Sequence, residues 1–273
     1  MRTTGKLAIV AAVVAGAAVP MTATAGAQAS AAGGWEAYHG LTAKQSVERA
    51  TRLMKQGYRP ITVNVSDGER YAAVWEKGGS PDKYGIWQGM SASGYQKRFD
   101  AALKQGGQPV SVSATGPAGS AVFAAVFEKK RGAFLAKSNL KGSVFAAYNK
   151  YAEADGLALT SVDAYGTPGD VRYAAVWSAD TGGEWYYSYG KNKQQHAAEF
   201  KARKAKGFRP VRVAVAPDGT YAAVWRKDGV KSWAHYVDMT AADYQARTTA
   251  LKAKGLRPVQ VNAENGVYAA IWQ

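Results

Sequence analysis

One pentapeptide occurs five times in this chain: Tyr71-Ala-Ala-Val-Trp75, Phe123-Ala-Ala-Val-Phe127, Tyr173-Ala-Ala-Val-Trp177, Tyr221-Ala-Ala-Val-Trp225 and Tyr268-Ala-Ala-Ile-Trp272, at intervals of 52, 50, 48 and 47 residues. A second box precedes it: Gly57-Tyr-Arg-Pro60, Gly106-Gly-Gln-Pro109, Gly207-Phe-Arg-Pro210 and Gly255-Leu-Arg-Pro258, with a degenerate Gly156-Leu-Ala-Leu159 in the third copy. Sixteen residues before each box glycine stands Leu41, Met90, Leu140, Lys191 or Met239. A block of some fifty residues cannot bury its own apolar face, so repetition at this period means small units stacked on their copies.

The constant interval reads as a helix. Thr42-Ala-Lys-Gln45 and Asn192-Lys-Lys-Gln195 are capping boxes. Val47, Ala50, Leu53 and Met54 then form an apolar stripe at helical spacing. The glycine suits a helix C-cap, and the proline three residues on cannot continue a helix and biases the residue before it toward extended backbone. Gly57, Arg59, Pro60, Gly207, Arg209, Pro210, Gly255, Arg257 and Pro258 are therefore read as a structural helix-to-strand switch with no binding role.

After the switch, Pro60-Ile-Thr-Val-Asn-Val65 and Pro210-Val-Arg-Val-Ala-Val215 alternate like strands, and Asp67-Gly68, Asp218-Gly219 and Asn265-Gly266 supply turns. The uncharged pentapeptide reads as a central strand covered on both faces. A third strand centres on Trp35, Trp87, Phe134, Trp185 and Trp233, placed after each pentapeptide strand. The expected fold is α+β: five tandem repeats of one helix plus a three-stranded antiparallel unit, roughly residues 35–75, 86–127, 134–177, 185–225 and 233–272. On this reading the last unit lacks its third strand and the Trp35 strand completes it, closing a propeller-like ring. An open arc or solenoid fits the same letters.

The N-terminus reads as an export signal. Arg2 and Lys6 precede the fourteen-residue apolar run Leu7–Pro20, and overlapping Ala-x-Ala sites end at Ala29. This predicts a signal peptide over 1–29, a five-repeat domain over 30–273, and a secreted, soluble, bacterial protein. The chain has no cysteine, which removes disulfides and thiol chemistry. Its net charge of +15 is uneven: from Tyr186 onward fifteen Lys or Arg face six Asp or Glu. That basic third is either solubility charge on helix faces or an attraction to anionic polymer.

A Trp strand, a Leu/Met-Thr/Ser-Ala helix start, Gly-x-Arg-Pro and Tyr-Ala-Ala-Val-Trp together resemble the bacterial tandem repeat that precedes the β-lactamase-like catalytic domain of secreted serine hydrolases of the polyglycine hydrolase type. The resemblance spans residues 34 to 273 and covers the repeat domain only. It implies an accessory or substrate-recognition module, here occurring without the catalytic domain.

The residues themselves offer little chemistry. A β-lactamase-like nucleophile needs Ser-x-x-Lys at a helix start. Three tetrapeptides match by letters, Ser80–Lys83, Ser138–Lys141 and Ser188–Lys191, all in segments leading into helices and with no Lys-Thr-Gly beside them. His39, His196 and His235 share no metal-type spacing, so no metal or cofactor is expected. Sixteen Tyr and eight Trp are the better lead, since both suit interfaces and sugar stacking. Trp185, Tyr186, Tyr187 and Tyr189 form the densest cluster and the preferred contact patch, with Trp35, Trp87 and Trp233 as the matching residues of other copies. The enlarged loops at 115–120 and 165–171 read equally as contact loops or as slack. The leading function is a non-catalytic, monomeric module that binds an extracellular polysaccharide or protein. A secreted serine hydrolase and a basic binder of anionic cell-wall polymer are the alternatives, and nucleic acid is disfavoured.

Overall fold

The structure, a computed structural model, describes residues 34–78, 84–129, 131–179 and 183–273; the proposed leader and the Ser80–Lys83 tetrapeptide lie outside them. Five units follow one another, each reading strand, helix, strand, strand. The first is β1 (Trp35–Leu41), α1 (Ala43–Lys55), β2 (Tyr58–Ser66) and β3 (Arg70–Lys77). The second is β4 (Tyr84–Met90), α2 (Ala92–Lys104), β5 (Gly107–Thr115) and β6 (Val122–Lys129). The third is β7 (Phe134–Leu140), α3 (Gly142–Ala154), β8 (Ala158–Thr167) and β9 (Asp170–Ser178). The fourth is β10 (Glu184–Lys191), α4 (Lys193–Ala205), β11 (Arg209–Val215) and β12 (Tyr221–Lys227). The fifth is β13 (Ala234–Met239), α5 (Ala241–Lys252), β14 (Pro258–Glu264) and β15 (Val267–Trp272).

Each unit has its own three-stranded antiparallel sheet with the pentapeptide strand in the centre, as in the order β1-β3-β2. One expectation is corrected here. The Trp strand leads its unit instead of following it: β1 pairs with β3, and β13 pairs with β15. The fifth sheet is therefore complete, and the N-terminal strand does not fill it.

The local signals act as read. Thr42 and Asn192 accept from the N–H of Gln45 and Gln195, whose side chains return to the cap N–H, and Thr240 with Asp243 forms a third such box. After the helices Gly57, Gly106, Gly156, Gly207 and Gly255 all take φ between 71° and 85°, the left-handed turn-off that a Cβ disfavours. A bulge follows each switch: Pro60 and Thr62 oppose consecutive residues Trp75 and Val74, and the same irregularity lies between Pro210 and Arg212 and between Pro258 and Gln260. Proline, which has no N–H to give the ladder, is tolerated at such a place. A second recurring left-handed position, two residues before each helix cap, holds Gly40, Gly89, Asn139, Gly190 and Asp238.

The pentapeptide divides its two faces between two units. Tyr71, Ala73 and Trp75 pack with Ala50 and Leu53 of their own helix. Ala124 and Val126 of the second unit pack into that same core. Ala174 and Val176 likewise enter the second unit's core, and Ala222 and Val224 the third's. Ala269 and Ile271 meet Val213, Val215 and Tyr221 of the fourth. The first unit's Ala72 and Val74 pack with Trp272, Tyr244 and Val261 of the fifth. Small alanines at the centre let one sheet sit closely on the next, which is the physical reason the middle of the pentapeptide recurs.

Among the described residues no backbone ladder joins the sheets. The inner strands β2, β5, β8, β11 and β14 meet edge to edge, and side chains satisfy their edge amides. Ser113 accepts from the Val65 N–H at 2.9 Å, Asp163 from Ala114 at 2.8 Å, and Asn262 from Val215 at 2.8 Å. Asn64 accepts from Ala263 at 3.0 Å, linking the first unit to the fifth in the same manner. The fourth unit has Ala214 at the equivalent place, and there Asn262 Nδ2 reaches Asp163 directly at 2.6 Å.

A tyrosine hydroxyl reinforces these joints. Tyr173 and Tyr221 reach the backbone of Gly190 and Asp238 in the next unit. The second unit carries Phe123 instead, and Tyr165 from the third unit's long hairpin, 5.5 Å away ring to ring, accepts from the Asn139 N–H at 2.9 Å. Tyr165 is buried, so the start of that enlarged loop has a packing role.

Candidate functional site

The aromatic strand β10 alternates between two neighbours. Trp185, Tyr187 and Tyr189 point to the third unit and pack half-buried against its core. The rings of Tyr187 and Tyr189 lie 5.7 and 5.6 Å from that of Phe145 on α3, in edge-on geometry. Tyr186 faces the other way, with the Arg203 guanidinium of α4 3.2 Å above its ring. The tryptophans of other copies differ: Trp35 and Trp87 are buried, whereas Trp233 is half-buried beside Phe200 and Lys204. Trp87 does not match the others in register, since it stands opposite Ala125 while Tyr84 takes the place that Trp35 and Trp185 hold. The structure thus does not bring the seven aromatics into one patch: Trp185, Tyr187, Tyr189 and Trp233 pack against the preceding unit, whereas Tyr186 and Trp87 pack on Arg203 and Phe127 of their own units.

A concavity of about 450 Å³ near this cluster runs along α4. Gln195, Glu199, Arg203 and Lys206 line it at helical spacing, and Lys191 joins them from the end of β10. Arg203 is held twice, by its stack on Tyr186 and by Glu199 at 3.5 Å, while Lys206 is exposed. The equivalent groove on α1 is about 220 Å³ and mixes Glu48 with Arg49 and Arg52; Arg49 is paired to Glu36. Of these two grooves the fourth unit's is the richer in cations: Lys191, Arg203 and Lys206 with Glu199, against Arg49 and Arg52 with Glu48.

The hairpin ends of all five units surround a second cleft of about 340 Å³. Glu264 stands there, 4% exposed, with both carboxylate oxygens 3.0–3.1 Å from the Thr115 hydroxyl. Burial, with Asp163 nearby as a second cause, raises its pKa to about 8, and burial raises that of Asp163 to about 6. A raised carboxyl pKa means the folded state keeps a proton that the unfolded chain loses. Its stabilising share is complete below about pH 4.5 and declines as pH rises to 8. Glu264→Gln is accordingly expected to gain on the wild type by roughly 2–4 kcal/mol between pH 5 and pH 9, read by urea denaturation at both. Parallel curves for the two proteins would remove this account of Glu264.

At the opposite ends of the inner strands the switch arginines form ion pairs. Arg257 donates to Glu76 at 3.2 Å from both terminal nitrogens, Arg59 joins Glu76 to Glu128, and Arg209 grips Asp228 at 2.7–3.1 Å. Reading the arginine as a backbone element alone missed this. The signal lay in the acidic residue after the pentapeptide, Glu76 and Glu128, which pairing sets at the same end of the sheet.

The model of one family matches the chain five times, over residues 32–78, 83–130, 131–179, 182–228 and 230–273; its description is polyglycine hydrolase-like, structural repeat. The chain belongs to that family. Its five matches take in every strand and helix described above.

Within this structural repeat, the two described Ser-x-x-Lys tetrapeptides lack the geometry of a nucleophile and its base. Ser138 and Ser188 lie on strands, and neither begins a helix that would set the lysine one turn away. Ser188 is buried and accepts from the Trp225 indole at 3.2 Å. The histidines also serve the joints of the repeat. His39 meets Gln245 at 3.2 Å, linking first and fifth units, and His196 meets His235 at 3.0 Å, linking fourth and fifth. His235 Nδ1 sits 3.2 Å from the Ala270 carbonyl, which assigns its proton there and makes Nε2 the acceptor for His196. Burial lowers His196 to about 4 and His235 to about 3, so both are neutral. Among the described residues no group of three His, Asp or Glu is placed to hold a metal ion.

Proposed function

We propose that this chain is a secreted, non-catalytic recognition module of bacterial origin whose five units close into a monomeric ring, and that it binds an anionic extracellular polysaccharide along the α4 groove. The observation that carries the binding reading is the extra cation of the α4 groove over the α1 groove. Lys191, Arg203 and Lys206 border one concavity, and Arg203 is fixed over Tyr186 beside it. A fixed guanidinium gives up less side-chain freedom on meeting a carboxylate or sulfate. Membership of a structural-repeat family supports an accessory role. The ring reading is supported by the fifth-to-first joint, which uses the same alanine face and the same side-chain-to-amide bond as the others. No described helix is long and apolar enough to cross a membrane.

The test is a glycan array followed by titration of the best ligand at several salt concentrations. Anionic polysaccharides are expected to bind, with affinity falling steeply as salt rises. Lys191→Glu combined with Lys206→Glu, both on the rim, should weaken binding at least tenfold while leaving the melting temperature in place. Selection of neutral glycans only, or full affinity in the double variant, would defeat the reading.

A further inference from the structure

A small cavity lies where the inner strands converge, apart from the α4 groove. One residue from each unit lines it: Thr62, Ser111, Ser161, Arg212 and Gln260, each opposite the fourth residue of its pentapeptide. Its volume is about 10 Å³, room for one water-sized occupant. At this register the second, third and fifth units bond directly to the unit before. Ser111 accepts from the Val63 N–H at 3.3 Å, Ser161 accepts from the Val112 N–H at 3.2 Å, and Gln260 Nε2 donates to the Val213 carbonyl at 2.8 Å. Thr62 of the first unit makes no such bond to the fifth. Its Oγ1 and Gln260 Oε1 have no hydrogen-bond partner, in residues only 4% and 5% exposed. Buried polar atoms are nearly always paired, with protein or with ordered water, so two of them on one cavity point to an occupant.

The lining narrows that occupant to a neutral molecule. A cation would meet the Arg212 guanidinium, which is positive whatever it bonds. An anion would meet the Gln260 Oε1 acceptor and the Asp163 carboxyl group, which also borders the cavity with its oxygens on the Ala114 N–H and the Asn262 amide. The size leaves water, and the hydrogen-bonding groups agree. Gln260 Oε1 can only accept, and the Thr62 hydroxyl can accept or give. Ser111 and Ser161 each accept one N–H and keep a hydroxyl proton to give. A water molecule gives two protons and takes two, so it serves a set that holds both acceptors and donors.

We propose that this central cavity is a binding site for a single buried water molecule, which joins Thr62 of the first unit to Gln260 of the fifth. It supplies by bridging the link that Ser111 and Ser161 make directly at their own joints. Crystals of the full chain grown at neutral pH, one set in sodium bromide and one in rubidium chloride, test the occupant. Both sets should show one peak of density in the cavity, within hydrogen-bond reach of Thr62 Oγ1 and Gln260 Oε1 and without anomalous signal. A cavity without density, or an anomalous peak from bromide or rubidium, would overturn the assignment. Thr62→Val gives a second measurement, since it keeps the shape and removes the hydroxyl. Loss of a water-bridged hydroxyl should lower the melting temperature by about 2–4 °C, whereas removing an unpaired one should leave it level or raise it. A variant that melts at or above the wild-type temperature would therefore also overturn the water bridge. The crystal experiment needs no variant, so a fold weakened by Thr62→Val leaves the proposal testable.

Discussion

Deleting residues 230–273 is expected to abolish cooperative folding, a larger loss than one unit's share of the stability. The cut strips Trp35, Ala37, Ala72 and Val74 of the first unit of their packing partners, and on the other side it bares Val213, Val215 and Tyr221 of the fourth. It also leaves Asn64 without the Ala263 N–H and Glu76 without Arg257. In an open stack a terminal unit is held by one interface, and its loss costs that interface alone. In a ring every unit is held by two, and every deletion opens an apolar face on each side of the gap. The measurement is a guanidinium titration followed by circular dichroism and tryptophan fluorescence, on the full chain and on the chain ending at residue 229. A truncated protein that melts in one sharp transition, only modestly earlier, would sink the ring proposal.

Asn262→Ala is the point substitution with the largest expected effect, about 3–5 kcal/mol at pH 7. The side chain accepts from Val215 and donates to Asp163, and its residue is 4% exposed. Truncation therefore strands a buried amide N–H and takes a donor from a carboxylate that desolvation already disfavours. Asn265, three positions along, donates to the Pro217 carbonyl from a partly exposed place, and Asn265→Ala should cost under about 1 kcal/mol. Urea denaturation of both variants gives the comparison. Equal, small losses would show that the inner-strand bonds do not hold the units together.

Much of the unit was legible because each local signal has one physical meaning. Capping boxes, a box glycine and a following proline set the start, stop and turn-off of the helices, and an uncharged five-residue run set the central strand. The pairing of the Trp strand was not legible, since a strand between two pentapeptides has equal claim to either, and only the register chooses the later one. The role of Asn64, Ser113, Asp163 and Asn262 was also missed. Their alternation with valines reads as an ordinary strand with a polar face, and the partner of that face is a neighbouring unit 47–49 residues away, or 199 for Asn64 and Ala263. The pleat divides the aromatics of β10, which sequence density did not reveal: Trp185, Tyr187 and Tyr189 share the face turned to the third unit, whereas Tyr186 turns to α4. The α4 groove was not read either, because Lys191 comes to it from the end of β10 and Arg203 and Lys206 from the C-terminal end of α4.

Side-chain caps on the inner strands have a consequence for how such arrays diversify. A continuous β-ladder would lock the angle between successive sheets through many backbone bonds at once. Here that angle rests on a handful of Ser, Asn and Asp contacts and on alanines of fixed size. Altering one of them re-tilts a joint without breaking any sheet, so the same building block can be re-spaced, or its copy number changed, by substitutions at a few inward-facing positions.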